Sequence, residues 1–256
     1  MALPQPLTLS AEALVRLVAM ENLGEPHVAL RPPAVWRPRK DRDAFDEALR
    51  DHLASIGLFD RHGRVDVEVA SSLAVLCRSG TEFYGWIHAE NRTKAVLAAA
   101  VGKEGVLAVR DGEDVRLRQI GAKTLAEALV RQTADVPPGR GGAVSFLRSE
   151  AAAAVNGRRT SESGVRTMAA GREIRLAQRI TSQPTTGGGQ LFVACRDHIG
   201  PRRACQHPLR YADTPTGRWL NLMTPLPGGD NRILLAPASR ADLATRLHEM
   251  HHALTR

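Results

Sequence analysis

Cysteine, aromatic residues and long apolar runs are all scarce in this sequence of 256 residues. Three cysteines are too few for the disulfide framework that stabilises small secreted domains. The longest apolar run, residues 95–101, is far shorter than the roughly 20 residues that cross a bilayer. The first residues carry no basic segment followed by a continuous apolar one, as a secretory signal would. We therefore expect a cytoplasmic protein without membrane insertion, long enough to bury a large core.

Lysine is also in short supply, although the chain is basic. The net charge is +8, and only four of the 35 basic residues are lysines. An arginine excess of this kind, with abundant alanine and glycine, indicates a GC-rich coding bias more than selection for phosphate binding. The basic clusters at 37–42, 157–159 and 196–203 contain no interleaved aromatic residues. We expect no nucleic-acid partner, and a basic nucleic-acid-binding regulator stays an alternative.

Residues 81–120 show the clearest local pattern in the chain. Short polar turns separate four apolar runs of strand length, at 83–87, 95–101, 106–109 and 115–120. The Asp111-Gly112 pair favours a tight hairpin, because glycine tolerates the positive φ that such turns require. The pattern predicts an antiparallel four-stranded meander, followed by a helix over 124–133 with capping-box spacing between Thr124 and Glu127.

The same order of elements returns in the second half of the chain. Strand candidates lie at 190–196, 203–211, 218–224 and 232–236, and a last helix begins at Ser239. Apolar residues at helical spacing predict further helices after Ser10 and at 45–56, 65–78, 149–155 and 161–180. We therefore predict an α+β fold with a central antiparallel β-sheet flanked by helices, in a single domain over 1–256. Its two α-β4-α halves, 1–136 and 143–256, are expected to be related by a pseudo-two-fold axis. A segment near 181–189 is expected to be exposed and mobile.

The last helix carries His248-Glu249-Met250-His251-His252, which fits the H-E-x-x-H pattern of zinc proteases. On a helix His248 and His252 share a face, and Glu249 lies beside them as a base for zinc-bound water. A third ligand is needed, and the four residues after His252 supply none. We therefore interpret the histidines as helix-end residues that interact favourably with the helix dipole. A zinc-dependent hydrolase stays an alternative.

A second set of metal-ligand residue types comprises Cys195, His198, Cys205 and His207. These types suit tetrahedral zinc, but their spacing matches no standard zinc module. A small buried cysteine on a strand is the commoner use of this residue. Gly187-Gly188-Gly189 lacks the Lys-Ser/Thr of a phosphate-binding loop and precedes a strand instead of a helix. We predict no metal, no cofactor and no catalytic residues.

Several stretches of the sequence resemble one family in their order and spacing. They are EFYGWI at 82–87, VLAVRDGEDVRLRQI at 106–120, GGGQLFVACRD at 187–197, HPLRYADTPTGRWL at 207–220 and LLAPASRADLATRLHEM at 234–250. These stretches resemble the ESX secretion-associated EspG family of actinobacteria, and they lean towards its non-mycobacterial branch. The resemblance implies a mixed α/β fold with a central antiparallel sheet. It also implies a cytosolic chaperone of type VII secretion, not an enzyme, which binds the helical tip of a PPE protein in a PE–PPE heterodimer.

The resemblance also directs attention to a partner-binding surface at the hairpin loop 88–93, the last helix and the bordering sheet. In this family a loop between early strands reaches the client, and tryptophan is enriched in binding hot spots. The predicted contact residues are Trp86, His88, Glu90, Asn91, Arg92, Trp219, Arg246 and Met250. Both tryptophans have an alternative interpretation as core residues, in which case alanine substitution would destabilise the fold. The sequence is also compatible with a homodimer.

Overall fold

The computed structural model describes residues 6–33, 38–59, 64–155, 164–196 and 200–256. These residues form an α+β fold with a large antiparallel β-sheet flanked by helices, as predicted. The helices are α1 (Ala11–Met20), α2 (Arg39–Ser55), α3 (Val67–Arg78), α4 (Leu125–Val130), α5 (Arg148–Val155), α6 (Gly164–Thr181) and α7 (Arg240–Thr255). The strands are β1 (Leu7–Ser10), β2 (Thr81–Ala89), β3 (Arg92–Val101), β4 (Glu104–Asp111), β5 (Asp114–Gly121), β6 (Val144–Leu147), β7 (Gly187–Cys195), β8 (Arg203–Ala204), β9 (Leu209–Thr214), β10 (Gly217–Pro225) and β11 (Asn231–Pro237). Within these described ranges no helix is long and apolar enough to cross a membrane.

The chain divides into two compact units. The first unit comprises Met1–Trp86, Thr93–Leu129 and Ala194–Arg203. The second unit comprises Ile87–Arg92, Val130–Val193 and Ala204–Arg256. The tip of the β2–β3 hairpin therefore belongs to the same unit as the last helix.

In the first unit the strand order is β1-β5-β4-β3-β2, so the predicted four-stranded meander gains a fifth strand. β1 pairs antiparallel with β5, with Leu9 opposite Val115. The turn between β4 and β5 is the predicted two-residue hairpin, in which Gly112 has a φ of +64°. Ser10 then begins α1, because its Oγ accepts a hydrogen bond from the Ala13 N–H at 3.0 Å.

The central strands of the first unit are covered on both faces. Residues 95–100 of β3 and 105–109 of β4 are all buried, which explains why these segments are continuously apolar instead of alternating. β5 does alternate, with Val115 and Leu117 buried and Arg116 and Arg118 exposed. One face of β5 is therefore solvated, as its sequence pattern predicted.

In the second unit the strand order is β7-β9-β10-β11-β6, with the two-residue β8 beside β7. β6 pairs antiparallel with β11, with Val144 opposite Leu235. In each unit, a strand that precedes the meander in the chain thus pairs with the last strand of that meander. The core of the second unit includes a cluster of Val144, Ala177, Ile180, Trp219 and Leu235, through which α6 packs on the sheet.

Several predicted elements differ in extent from those observed. The helix predicted over 124–133 extends only over Leu125–Val130, and Thr124 ends the preceding 3-10 turn, where its Oγ1 donates to the Gly121 carbonyl. The strand predicted over 203–211 is divided into β8 and β9, and the strand predicted from residue 190 begins at Gly187. The pseudo-two-fold relation stays a prediction, and the basic cluster at 157–159 lies outside the described residues.

Candidate partner-binding site

The hairpin tip, residues 88–92, is built on a two-residue connection between β2 and β3. β2 ends at Ala89 and β3 begins at Arg92, and Glu90 and Asn91 have φ values of +53° and +59°. Two positive φ values characterise the type I′ turn, whose twist matches that of the flanking strands. Asparagine tolerates this conformation, whereas for glutamate it costs about 1–2 kcal/mol. The side chains of His88, Glu90, Asn91 and Arg92 are exposed, so the turn presents four polar groups on a strained backbone.

The triple glycine that begins β7 allows close backbone approach beside the hairpin tip. A Cβ on Gly187 would lie 3.0 Å from the carbonyl oxygen of His88. A Cβ on Gly188 would lie 2.7 Å from the carbonyl oxygen of Tyr211. Both neighbours are backbone atoms, which cannot rotate away as a flexible side chain can. These glycines therefore have a packing role next to the hairpin tip, which the sequence did not reveal.

Glu82 of β2 is the centre of a buried polar cluster in the first unit. It is 5% exposed and accepts hydrogen bonds from Ser79 Oγ at 2.8 Å and Arg202 Nε at 2.9 Å. His27 Nε2 lies 3.5 Å from the same carboxylate. Burial alone would raise the pKa of Glu82, but the hydrogen bonds from these side chains outweigh it and lower the pKa to about 2. The carboxylate therefore stays charged and joins three segments of the chain.

Trp86 lies at the end of an aromatic series that begins at this cluster. The rings of His27 and Tyr84 meet edge to face with their centres 4.6 Å apart, and the guanidinium of Arg202 lies 5.5 Å from the centre of the Tyr84 ring. Trp86 makes a further edge contact with Tyr84, with ring centres 6.1 Å apart, and is half-buried. The predicted contact residue Trp86 is thus held on one side by Tyr84 and still reaches the surface.

A buried ion pair organises the second unit. Arg218 is 0% exposed, and its guanidinium donates to both carboxylate oxygens of Asp213, at 2.6 and 2.9 Å. The same guanidinium donates to Thr133 Oγ1 at 3.1 Å and to the Ala134 carbonyl at 2.8 Å, and it lies 4.8 Å from the centre of the Tyr211 ring. This planar fork fixes the segment at 133–134 to β10. Asp213 and Arg218 lie opposite each other on the paired strands β9 and β10. The sequence signal for this ion pair was therefore the presence of opposite charges at paired positions of a predicted hairpin.

Trp219, another predicted contact residue, is 3% exposed and belongs to the core cluster of the second unit. A Cβ on Gly139 would fall 2.3 Å from its Nε1, so the backbone of Gly139 lies directly against the indole. The Gly139 N–H donates to the Arg218 carbonyl at 2.8 Å, which fixes that backbone in place. β10 turns this side chain towards α6 and away from solvent, so Trp219 fits the core interpretation better than the partner-contact one.

The last helix, α7, begins with a capping box. The Asp242 carboxylate accepts a hydrogen bond from the Ser239 N–H at 2.7 Å, and Ser239 Oγ accepts from the Asp242 N–H at 3.2 Å. Two predicted contact residues, Arg246 and Met250, are half-exposed on this helix. Arg246 donates to Glu249 at 2.6 Å, a pair of neighbours at i and i+3. The helix therefore presents the thioether of Met250 together with the guanidinium of Arg246, which is paired with Glu249.

The structure describes three members of the cysteine and histidine set around β7. His198 lies outside the described residues. Cys195 is buried, and Cys205 Sγ accepts a hydrogen bond from the Val193 N–H at 3.3 Å, while His207 is half-buried. Across the described part of the chain, no three residues of the types His, Cys, Asp and Glu are grouped so that they could hold a metal ion.

The histidines of α7 occupy the last turns of that helix. His248 and His251 are half-buried, and His252 is exposed. Burial lowers the pKa of His251 below its ordinary value, and the positive charges of His252 and His248 lower it further. Burial is the larger of these causes, and together they disfavour charge on His251.

A groove between α1 and α2 is a feature of the first unit that the sequence did not predict. Its volume is about 1040 Å³. Phe45 and Leu49 of α2 line it, and Arg16 of α1 forms an ion pair with Asp46. The spacing of residues 45, 49 and 53 predicted a helix packed on the core, but only Leu53 of the three is buried. Phe45 and Leu49 therefore form an apolar surface at the bottom of the groove, and charged residues line its edges.

A family model described as the EspG family matches residues 10–249. The chain belongs to the EspG family. Its fold is similar to that of a solved Mycobacterium tuberculosis structure, the type VII secretion system chaperone EspG5 in complex with the PE25-PPE41 dimer. The TM-score is 0.72 at 14% sequence identity, and the similarity covers 98% of this chain and 97% of the matched one. A comparison with curated proteins finds no match.

The predicted contact residues of this EspG-family chain fall into three groups. Six residues of the second unit are exposed or half-exposed: His88, Glu90, Asn91, Arg92, Arg246 and Met250. Trp86 is half-buried in the first unit, and Trp219 is a core residue of the second. The six residues of the first group and the exposed part of Trp86 are therefore accessible to a partner without rearrangement of the core.

Proposed function

We propose that this EspG-family protein is a non-enzymatic, cytosolic chaperone of a type VII secretion system. It binds a PPE-like helical protein, as part of a PE–PPE-type heterodimer, and keeps it soluble before export. The observation that supports this function is the family match over residues 10–249, together with a fold similar over 98% of the chain to a chaperone solved with a PE–PPE dimer. Shielding an apolar helical tip requires a complementary surface and no catalytic group.

The client docks on the hairpin tip and on the exposed side of α7. The type I′ turn supports this location, because it holds four polar side chains at fixed backbone positions and so reduces the entropy lost on binding. Met250 supports it as well, since an adaptable thioether at the surface of α7 suits an apolar helical ligand. Trp86 of the first unit keeps part of its ring at the surface, and its contact with the client stays a prediction. The burial of Trp219 supports leaving this residue out of the proposed surface.

Affinity purification of the tagged chain, co-expressed with PE–PPE pairs from the same genome, tests this function. The wild-type chain should retain one such pair through washing at physiological salt. Arg92→Glu should weaken retention by about 10-fold or more, since it reverses a charge at the proposed contact without touching the core. Arg118→Glu is the matched control, because Arg118 is equally an exposed strand arginine and its substitution changes the net charge by the same amount. Retention of no pair by the wild-type chain would refute the chaperone function.

A second variant separates the turn backbone from the turn side chains. Glu90→Asn with Asn91→Gly keeps the two positive φ values of a type I′ turn and replaces its strained glutamate. This variant should be more stable by about 1 kcal/mol and still bind the client less tightly. If it and Arg92→Glu both retain the client as well as the wild-type chain does, the docking location is wrong and the chaperone function stands on the wild-type result.

A further inference from the structure

The positive charge of the chain is concentrated in the second unit. That unit contains 16 basic and nine acidic residues, which is a net charge of +7, whereas the first unit contains 19 basic and 18 acidic residues, a net charge of +1. The two units are of similar length and have similar numbers of basic residues. The difference therefore comes from a shortage of carboxylates in the second unit. A coding bias towards arginine does not explain this shortage, because it would affect both units alike.

The shortage leaves arginines of the second unit without acidic partners. The outer side of α6 carries Arg172, Arg175 and Arg179, at i, i+3 and i+7, so the three share one helical face. All three are exposed, and none forms an ion pair with a carboxylate in the described part of the chain. The opposite side of α6 is buried against the core cluster of the unit. The arginine side therefore faces solvent with its charge unneutralised, and Arg210 and Arg232 on the strands are exposed as well.

Nucleic-acid binding and a local anion pocket both account poorly for this charge. Single-stranded nucleic acid is bound through aromatic platforms between basic residues, and the only tryptophan of the second unit, Trp219, is buried. A local pocket would need the arginines to converge on one cavity, whereas they occupy a helix and two strands. A diffuse positive field over one unit is instead the arrangement that attracts an oppositely charged macromolecule from a distance.

We infer that the field of the second unit steers a client whose docking end is acidic. This inference rests on the proposed function, because the proposed docking elements, the hairpin tip and α7, both belong to that unit. The Debye length is about 30 Å at 10 mM salt and about 8 Å at 150 mM. At low salt the charges of the whole unit therefore act on an approaching client, and at physiological salt only the nearest ones do. Electrostatic attraction of this kind raises the association rate and has little effect on dissociation.

Stopped-flow association with the co-purified PE–PPE pair, at 10 and 150 mM salt, tests the inference. The loss of three arginine charges is considered against three opposite charges of the client, about 20 Å away and screened over about 30 Å. It corresponds to roughly a 5-fold change in the association rate. The variant Arg172→Gln/Arg175→Gln/Arg179→Gln should therefore associate about 5-fold more slowly at 10 mM salt, with a dissociation rate within about 2-fold of wild type. The charge-preserving variant Arg172→Lys/Arg175→Lys/Arg179→Lys should associate at the wild-type rate.

The possible outcomes separate this inference from the function on which it rests. Association that is insensitive to salt and to the glutamine variant would overturn the steering and leave the chaperone function intact. A faster dissociation that lysine does not restore would also overturn it, since the arginines would then be direct contacts. A client whose docking end is neutral or basic would contradict the inference from its sequence alone. Failure of every PE–PPE pair to associate at either salt concentration would refute the proposed function itself.

Discussion

Substitution of Arg218 is expected to cause a large loss of stability. Its substitution by alanine removes four hydrogen bonds and leaves the carboxylate of Asp213, itself 3% exposed, without a cation. Breaking a buried pair by removing one partner costs about 3–5 kcal/mol, because the remaining charge is uncompensated. Since a domain has about 5–15 kcal/mol of stability in total, Arg218→Ala should lower the free energy of unfolding by a large fraction or prevent folding. Arg218→Lys keeps the charge but not the planar fork and should cost about 2 kcal/mol.

Urea unfolding followed by far-ultraviolet circular dichroism measures these differences. Arg210→Ala is the matched control, because Arg210 lies on the neighbouring strand β9 and is exposed. It should change the free energy of unfolding by less than about 0.5 kcal/mol. If Arg218→Ala and Arg210→Ala lose the same small amount, the ion pair does not hold the segment at 133–134 to β10, and the account of the second unit is wrong.

Two further predictions concern other packed positions. Gly139→Ala should destabilise the fold by about 1–3 kcal/mol and shift the fluorescence of Trp219, because the added Cβ would fall 2.3 Å from the indole nitrogen. Gly142→Ala is the control and should be close to neutral, because a Cβ at Gly142 has nothing within 4 Å. Equal stability of the two variants would contradict this packing. The lowered pKa of Glu82, about 2 against 4.5 in the unfolded chain, contributes stability that is complete above pH 4.5 and is lost as the pH falls through 2. This contribution is about 3 kcal/mol, so the stability advantage of wild type over Glu82→Gln should shrink as the pH falls from 5.5 to 2.5. An advantage that does not change with pH would contradict the lowered pKa of Glu82.

Local turn and cap chemistry is what made much of the fold predictable from the sequence. Gly112 follows an aspartate between two apolar runs, so the hairpin between β4 and β5 depends on residues that are adjacent in the chain. Ser10 and Ser239 begin their helices with side-chain oxygens that accept from the first turn. These signals need no knowledge of the rest of the molecule, and the antiparallel meanders follow from them.

The features that were not predicted depend on contacts between distant parts of the chain. β1 pairs with β5 and β6 pairs with β11, and both pairings join segments many residues apart whose own patterns carry no partner information. Alternation along β10 could place Trp219 on one face but could not tell that α6 covers that face. At the candidate site, the exposed polar tip was visible in the sequence. The positive φ at Glu90 was not, because glutamate is a rare residue in that conformation.

The mass of the soluble complex tests most directly whether this EspG-family chain keeps a PE–PPE client soluble by binding it. A genome-matched PE–PPE pair is expressed alone and together with this chain, and the soluble fraction is analysed by size-exclusion chromatography with light scattering. We expect the pair to aggregate alone and co-expression to give one soluble species with the summed mass of the three chains. A pair that is soluble and monodisperse without this chain, or that elutes apart from it after co-expression, would contradict the proposed function.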